Sequence, residues 1–557
     1  MEEKKIEEIA ALNAAKHGYK ADFGAVLSKV IGEDKSSLQD MTKTKELVLR
    51  AVKKINSMSK QEIDELIKDV KITEKKEDTD LRPLPNTEKK VVLRLPPEPS
   101  GYMHLGHAIA GMINYLYKQK YNGKLWLRFE DTNPNRVKEE FFDSFRSGYS
   151  WLGIKWDEEK KVSDDMEKIY DYAEKLIRQG NAYVCECDPE TIKTNRSKGI
   201  ECKCRGNSLE YNLRRFEEAK EGKIAPGKAV IRLKGDMKSI DFSLRDPSLL
   251  RIIDTKYKPY KLWPLYDFAS VIEDEICDVT HILRSNEFRT SLQEALRKIM
   301  GFRKPTIVQF SRYNFEGTPF SKRKIRELIE KGYIKDWNDI RLPTITAIRR
   351  RGIQPQAIYE FARRARYSSA EHVYSWDFLM TMNRRIIDPT SKRLFFVESP
   401  VRLVVTGSPT MIVKLKNHPS EDLGERTLEV DGNFFIPKRD ADIMKEGSFV
   451  RLKDLYTIRI DKKYDDSIYA SMFSQQKRGD EKIIQWIPQR ESMEVSITKV
   501  GSLMIGNEFN PDSLSTIHGL AEINVKDLKQ GEIIQFERFG FCILDDKEKA
   551  SFIFITD

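Results

Sequence analysis

The spacing of apolar residues changes twice along this chain of 557 residues. Up to about residue 70, apolar residues recur with the period of amphipathic helices. From 91 to about 340, short apolar runs that suit buried strands alternate with helical segments. After about residue 395, short β-type runs are separated by Gly, Pro and Asn. The pattern predicts a helical N-terminal segment, a central α/β part and an all-β C-terminal part.

These changes predict six segments. The charged stretch 71–90, which carries Pro83 and Pro85, is typical of a linker. We expect the two halves of a Rossmann-like, doubly wound domain to flank a mixed insertion, and the second half to resume at the apolar run 262–268. A helical, arginine-rich subdomain and one or two β-barrels complete the chain. The expected segments are 1–88, 89–182, 183–260, 261–340, 341–394 and 395–557.

Composition narrows the class of protein. A hydrophobic content of 39% and a charged content of 33% are typical of a soluble globular chain, and no apolar stretch approaches the roughly 20 residues that cross a bilayer. Six cysteines in so long a chain do not form a disulfide scaffold, which favours a reducing cytoplasm. The net charge of +10 favours a polyanionic partner.

The most informative residues are His104 and His107, which open a predicted helix after the apolar run 91–95. Two histidines three positions apart at a helix start can face one anion, and the positive end of the helix adds to the attraction. Gly106 between them keeps side-chain bulk away from a nucleotide that lies against the backbone. This arrangement suits a phosphate under nucleophilic attack.

A second motif follows more than two hundred residues later, where the small-residue loop 318–324 carries Ser321, Lys322 and Arg323. A basic loop is usually only a solvated turn. A flexible loop that brings an ammonium group to a polyphosphate is, however, what nucleotidyl transfer needs, because its catalysis is mostly positioning and charge stabilisation. Together, the histidine pair and the lysine loop predict chemistry on a nucleoside triphosphate.

With these residues in view, the chain resembles the class I aminoacyl-tRNA synthetases. Within that class it is most similar to the glutamyl/glutaminyl branch, and there to the archaeal-type glutamyl enzymes, from about Val91 to the C-terminus. The chain departs from the class at Pro319, where a second lysine is expected, so that Lys322 must carry more of the charge. The stretches that match the motifs of the branch are 94–107, 127–134, 265–268 and 321–324.

The resemblance implies an ATP-dependent ligation of L-glutamate to tRNA(Glu) through a glutamyl-adenylate, with Mg²⁺ accompanying ATP and with no protein nucleophile. His104 and His107 would donate to phosphoryl oxygens, and Lys322 would neutralise the leaving pyrophosphate. The residues expected at ATP are Pro97, Glu98, Ser100, Gly106, Ser321, Lys322 and Arg323.

Four charged or polar residues are expected around the amino acid: Arg94, Glu130, Tyr266 and Arg284. Glu130, at a predicted strand end, suits the α-ammonium group, although it could also cap the next turn. Glutaminyl relatives carry a small uncharged residue in place of Arg284 and an amide in place of Ile307. Because a guanidinium pairs with a carboxylate and not with an amide, both differences favour glutamate.

Two close cysteine pairs, Cys185 with Cys187 and Cys202 with Cys204, could supply four thiolates to a tetrahedral Zn²⁺. Each pair encloses one residue and not the usual two, so that ordinary reduced thiols are the alternative. Related synthetases carry a zinc module at this point, which implies a structural ion in the insertion 183–260, close to the tRNA acceptor end.

The resemblance also implies an RNA-binding C-terminal half, with anticodon-binding β-barrels over 395–557. We expect the tRNA contacts to include Arg349, Arg350, Arg351, Trp486 and Arg490. The expected enzyme is a monomer. Whether it also charges tRNA(Gln) stays open. Three alternative functions also stay open: a glutaminyl enzyme of the same branch, a small-molecule nucleotidyltransferase with the same histidine motif, and a non-catalytic RNA-binding protein on a synthetase frame.

Overall fold

The computed structural model describes residues 3–16, 19–33, 41–67, 81–255, 259–285, 290–365, 372–477, 479 and 481–557. The chain forms two compact units, Met1–Asp80 and Leu81–Asp557. Positions 71–80 of the predicted linker lie outside the described residues.

The first unit is helical, as predicted, and its helices bury an aliphatic core that includes Ile9, Val48 and Ile55. One of its helices, Phe23–Glu33, was not predicted from the sequence. Its two glycines and three β-branched residues weaken the helical signal, and packing against the neighbouring helices compensates. The helices described in this unit are Glu3–Lys16, Phe23–Glu33, Met41–Asn56 and Lys60–Ile67.

The second unit begins with alternating strands and helices, as the apolar pattern predicts. Three parallel strands form one sheet in the order Val92–Leu95, Lys124–Phe129, Glu158–Lys161. Two further parallel strands follow later in the chain, and the Thr280 N–H beside them donates to the Val92 carbonyl at 3.1 Å. The two later strands are His281–Ser285 and Thr306–Phe310, and the helices of this α/β region are Leu105–Lys120, Glu139–Trp151, Tyr266–Ile276 and Ser291–Met300.

The insertion is built around an antiparallel four-stranded sheet. Its last strand is Leu262–Pro264, which pairs antiparallel with Ser248–Ile252. The sequence prediction placed the return to the parallel fold at this apolar run, and that was wrong, because the return begins at the next helix, Tyr266–Ile276. The other strands of the sheet are Ala182–Cys185 and Val230–Leu233, and the accompanying helices are Met166–Arg178, Pro189–Lys198 and Leu209–Lys220.

A mainly helical segment joins the α/β region to the C-terminal sheets. Its short strand Tyr313–Phe315 pairs in parallel with His372–Tyr374. The helices of this segment are Lys322–Glu330, Ile345–Arg350, Pro355–Ala365 and Trp376–Ile387.

The C-terminal region consists of β-sheets, as predicted, with two seven-stranded sheets. The chain starts in one sheet, builds the other, and then returns to the first. In sheet order, the first contains Lys392–Leu394, Ile533–Phe536, Gly540–Asp546, Ser551–Thr556, Ser492–Val500, Leu514–Glu522 and Phe396–Glu398. The other contains Lys482–Ile484, Phe449–Leu452, Thr457–Lys463, Ser467–Ser474, Pro400–Thr406, Asn433–Pro437 and Ile487–Pro488. Smaller elements are the hairpins Met411–Lys416 with Glu425–Val430 and Met504–Ile505 with Glu508–Phe509, and the helix Lys438–Ala441.

Candidate active site

The two histidines lie at the start of the helix Leu105–Lys120, directly after the first parallel strand and its loop. The imidazole rings of His104 and His107 stack with their centroids 3.7 Å apart. The backbone N–H of His104 donates to His107 Nδ1 at 3.3 Å, which fixes the second ring against the helix start. The histidine motif therefore forms one compact group of two rings.

Gly106 is required for a more local reason than the one predicted from the sequence. A Cβ atom at this position would lie 3.1 Å from His104 Cε1 and 3.2 Å from His104 Nδ1. The absent side chain thus makes room for the first imidazole. Phe320 packs edge-on against the same ring, with centroids 5.5 Å apart.

The histidines are neutral at physiological pH. Burial lowers the pKa of His104 to about 3, and the Lys322 ammonium adds to this effect. Burial, His104 and Lys322 also hold the pKa of His107 well below its ordinary value. His104 Nδ1 is enclosed and has no hydrogen-bond partner among the described residues. A neutral imidazole can donate an N–H to a phosphoryl oxygen.

Lys322 closes the site from the opposite side. Its Nζ donates to Ser100 Oγ at 2.9 Å and to the Glu98 carbonyl at 3.3 Å, and Arg326 donates to the Ser100 carbonyl at 3.0 Å. Burial lowers the pKa of the Lys322 ammonium, although Glu98 opposes this shift. The structure therefore brings Lys322 to the loop that precedes the histidines.

The sequence pattern predicted that Lys322 lies in a loop, and that was wrong. Lys322 is the first residue of the helix Lys322–Glu330. Ser321 is the N-cap of this helix and accepts from the Lys324 N–H at 3.5 Å. Arg323 points to solvent, while Pro97 accepts from the Glu130 N–H at 2.9 Å. Of the predicted ATP residues, Lys322 thus contacts Glu98 and Ser100, while Arg323 is exposed.

A buried ion-pair network begins at Arg94, on the strand that precedes the histidine loop. Asp274 accepts from Arg94 Nε at 2.8 Å, from Arg128 Nη1 at 2.9 Å and from Arg297 Nη2 at 2.7 Å. Arg128 also binds Glu130 Oε1 through Nε at 3.0 Å and through Nη2 at 2.8 Å. The second oxygen, Glu130 Oε2, and the terminal Arg94 Nη2 are both buried and have no hydrogen-bond partner among the described residues.

Arg284 and Tyr266, the other two residues predicted to bind the amino acid, lie close to this network. Arg284 Nη1 donates to Gln293 Oε1 at 2.8 Å, and Gln293 in turn donates to Asp267 Oδ1 at 2.9 Å. Burial lowers the pKa of the Arg284 guanidinium, while the neighbouring Tyr266 opposes the shift. The four residues predicted to bind the amino acid therefore lie in one region, in or next to the buried ion-pair network.

The sequence pattern did not identify the residues that hold this region together, namely Arg128, Asp274 and Arg297. A signal was available, because Arg128 interrupts an otherwise apolar buried strand and Asp274 lies on the buried side of a helix. A charge at a core position is rarely tolerated without partners and so indicates a network.

The four cysteines of the insertion converge as predicted. Their Sγ atoms all lie within 4.8 Å of one another, with Cys185 and Cys202 3.6 Å apart and Cys187 and Cys202 3.2 Å apart. The Cys204 N–H donates to Cys202 Sγ at 3.3 Å. Two thiolates on a tetrahedral zinc with bonds of about 2.3 Å lie about 3.8 Å apart, so that this donor set fits the ion.

The predicted tRNA contacts are only partly available at the surface. Trp486 is fully buried between Phe395 and Phe434, and its Nε1 donates to the Lys453 carbonyl at 2.8 Å. The prediction that Trp486 stacks on a nucleotide was therefore wrong, because its ring belongs to a sheet core.

The prediction that Arg351 contacts RNA was also wrong, because its side chain is buried. Its guanidinium lies 4.4 Å from the centre of the Trp376 ring, and burial lowers its pKa to about 10. Arg350 is exposed and pairs with Asp545 at 2.6 Å. Arg349 and Arg490 are exposed, and Arg490 lies 3.2 Å from Asp431. Of the five predicted RNA contacts, those of the exposed Arg349, Arg350 and Arg490 remain predictions.

None of the helices in the described ranges is both long and apolar enough to cross a membrane.

Comparisons with known proteins agree along the whole chain. The family described as class I tRNA synthetases (E and Q), catalytic domain, matches residues 90–389, and two anticodon-binding domain families of the same branch match 391–472 and 483–545. A glutamate–tRNA ligase of Nitrosopumilus maritimus is 38% identical over 98% of this chain and 98% of its own length. Those of Methanocaldococcus jannaschii and Pyrococcus abyssi are 35% and 37% identical, covering 99% and 97% of this chain and 99% and 96% of their own lengths.

Proposed function

The chain belongs to the class I tRNA synthetases of the glutamyl and glutaminyl branch, and we propose that it joins L-glutamate to tRNA(Glu) in two displacements. The glutamate carboxylate first attacks the α-phosphorus of ATP and expels pyrophosphate. The terminal ribose of the tRNA then attacks the acyl adenylate and releases AMP. The observation that carries this proposal is that Lys322 lies close enough to the stacked histidine pair to act on both rings and also contacts the loop before them, where Arg94 on the preceding strand joins the buried ion-pair network.

The chain's own groups suit the first displacement. His104 and His107, as neutral imidazoles, donate N–H groups to the phosphoryl oxygens as negative charge builds on them. Lys322 balances the charge of the leaving pyrophosphate, and Mg²⁺ that arrives with ATP shares that task. Loss of one such donor typically raises the barrier by about 2.7–4 kcal/mol.

The buried guanidinium groups of the proposed amino-acid site favour glutamate over glutamine. Arg94 and Arg284 are both buried. A guanidinium group pairs with a carboxylate and gains nothing comparable from an amide, so we expect the side-chain carboxylate of glutamate to be preferred to the amide of glutamine.

The two unpartnered buried atoms support the orientation of the substrate. Glu130 Oε2 is an acceptor that suits the α-ammonium group, and Arg94 Nη2 is a donor that suits a carboxylate. Tyr266 and Arg284 complete the proposed glutamate site, while Pro97, Glu98, Ser100, Gly106, Ser321 and Arg323 complete the proposed ATP site.

The remaining assignments follow from this function. We assign the Rossmann-like, doubly wound catalytic domain to 89–182 and 266–340, acceptor-end binding to the insertion between these two parts, and anticodon binding to the β-barrels of 395–557. The four cysteines would hold a structural zinc ion that stiffens the acceptor-binding insertion. The proposed enzyme is a cytoplasmic monomer, and its six free cysteines suit a reducing compartment.

The decisive experiment is aminoacylation with glutamate or glutamine, each paired with tRNA(Glu) or tRNA(Gln). We expect glutamate on tRNA(Glu) to be the preferred product, and charging of tRNA(Gln) with glutamate would show a broader tRNA range. Preference for glutamine would instead assign the chain to the glutaminyl enzymes. ATP consumption that forms a small-molecule product in the absence of tRNA would favour a nucleotidyltransferase.

A further inference from the structure

Asp274 lies where both arms of the proposed glutamate site meet. Its side chain is almost completely enclosed, and it accepts hydrogen bonds from three guanidinium groups. We propose that Asp274 is a positioning residue that fixes the distance and orientation between the carboxylate-binding Arg94 and the ammonium-binding Glu130. This inference rests on the proposed function.

The first arm is direct. Asp274 Oδ1 holds Arg94 at Nε, 2.8 Å away, which fixes the plane of the guanidinium group and leaves its outer nitrogens to bind the substrate. Of these, Nη2 is buried and has no hydrogen-bond partner among the described residues. An arginine held in this way is ready to bind a carboxylate without losing much rotational freedom.

The second arm runs through Arg128. Arg128 Nη1 donates to the same Oδ1 atom of Asp274 at 2.9 Å, and its other two nitrogens grip Glu130 Oε1. Glu130 is thereby held through one oxygen while Oε2 stays available for an ammonium group. One carboxylate oxygen of Asp274 thus links the group that binds each end of the amino acid.

Asp274 is charged in this setting. Burial alone would raise the pKa of this carboxyl group, but Arg94, Arg128 and Arg297 outweigh burial and hold the pKa below its ordinary value. Without this charge, the three guanidinium groups would repel one another in a buried site and would no longer share a common anchor. Loss of the anchor should therefore affect the binding of glutamate more than the binding of ATP.

The adjacent Glu273 provides a matched control. It lies on the same helix and is equally buried, but its ion pair is with Lys160, 2.8 Å away, and not with Arg94. Glu273→Gln removes an acidic group next to Asp274 that makes no hydrogen bond to Arg94 or Arg128, although its charge also acts on Arg128. An effect shared by both variants would be a general effect of losing a buried acid.

The test compares steady-state aminoacylation and melting temperature for the full-length wild type, Asp274→Asn, Asp274→Glu and Glu273→Gln. For Asp274→Asn we expect the KM for glutamate to rise roughly 30-fold or more, and discrimination against glutamine to fall, with the KM values for ATP and tRNA nearly unchanged. Asp274→Glu, which keeps the charge, should recover part of the glutamate affinity. Glu273→Gln should leave the glutamate KM within about threefold of the wild type.

A uniform loss of kcat with an unchanged glutamate KM in Asp274→Asn would overturn the proposal, as would an equal KM effect in Glu273→Gln. If Asp274→Asn does not fold, Asp274→Glu is the deciding variant. Its longer side chain must displace Arg94 and so raise the KM for glutamate above that of the wild type. An unchanged KM for glutamate in Asp274→Glu would also overturn the proposal. Failure of the wild type to charge glutamate would refute the proposed function itself and is seen before any variant is compared.

Discussion

Lys322 Nζ donates a hydrogen bond to Ser100 Oγ at 2.9 Å, across a separation of 222 residues in the chain. The contact joins the start of the helix Lys322–Glu330 to the loop before the histidine pair. It also crowds the backbone of Gly101, where an added Cβ would lie 3.0 Å from the lysine Cδ. The triphosphate is expected next to these two segments, so Lys322 already lies close to the pyrophosphate that it is proposed to neutralise.

Lys322→Ala should slow adenylate formation roughly 100- to 1,000-fold, because it removes the ammonium group that reaches Glu98 and Ser100 in this loop. The measurement is pyrophosphate exchange in the presence of tRNA, with glutamate binding followed separately. Lys324→Ala is the control, since Lys324 lies two residues away and is paired with Glu327 at 3.3 Å. Equal loss of exchange in both variants would contradict a specific role for Lys322.

The lowered pKa values of the histidines make a prediction about pH. Folding lowers the pKa of His104 to about 3 and that of His107 well below 6.5, so the unfolded chain binds protons that the native chain does not as pH falls below 6.5. Stability from these groups is therefore present above pH 6.5 and is lost as pH falls towards the native pKa values. In the spectrum of the protein labelled at imidazole carbons, at least two of its seven histidines should stay neutral at pH 5.5.

His104→Gln identifies one of these two resonances. It should also make the melting temperature less sensitive to acid between pH 7 and pH 5, because one fewer group resists protonation in the folded state. Protonation of every histidine near pH 6.5 would show that the two rings are solvated and would remove the basis for neutral donors.

The pairing of His104 with His107 was predictable from sequence because it depends on local spacing. His104 and His107 need only a helix start to become neighbours, and the strand-loop-helix pattern supplies it. The small residues before Lys322 predict an open loop, so the helix that begins at Lys322 was not predictable. The N-cap hydrogen bond from the Lys324 N–H to Ser321 Oγ favours the helix over an open loop by only a small free energy.

Burial was the hardest property to predict. Trp486 and Arg351 looked like RNA contacts because aromatic and basic residues are frequent at such surfaces, yet tertiary packing covers both. The network around Asp274 was missed for the opposite reason, since its partners Arg94 and Arg297 are distant in sequence and only the fold brings them together. Side-chain contacts that depend on topology leave little trace in local patterns.

Arg284→Cys should weaken the use of glutamate and narrow the preference over glutamine. It removes a buried guanidinium group that is proposed to pair with a substrate carboxylate, a partner that the amide of glutamine cannot replace. We expect kcat/KM for glutamate to fall roughly 30-fold, measured by competition between the two amino acids. Arg303→Cys is the control, because Arg303 is half exposed and pairs with Asp278 outside the site. Unchanged selectivity in Arg284→Cys would contradict a contact with the substrate.

The cysteine cluster predicts one zinc per chain in protein purified without chelator. Cys202→Ser should lose the ion and lower the melting temperature of the insertion, because structural zinc contributes directly to folding free energy. Cys542→Ser is the control, since Cys542 is a buried thiol far along the chain from the cluster. A metal content far below one per chain in the wild type, or equal metal loss in both variants, would contradict the zinc site.

Arg349 makes the clearest prediction for RNA binding among the arginines at the surface. Its guanidinium lies 5.6 Å from the centre of the Trp151 ring, whereas the neighbouring Arg350 is already neutralised by Asp545. If Arg349 contacts a phosphate, Arg349→Ala should weaken tRNA binding and lower the slope of log affinity against log salt by about one. The slope is measured by binding titrations at several salt concentrations.

Arg178→Ala is the control for Arg349→Ala, because Arg178 is also exposed but pairs with Glu174. A slope unchanged by Arg349→Ala, or reduced equally by Arg178→Ala, would show that Arg349 does not make this contact.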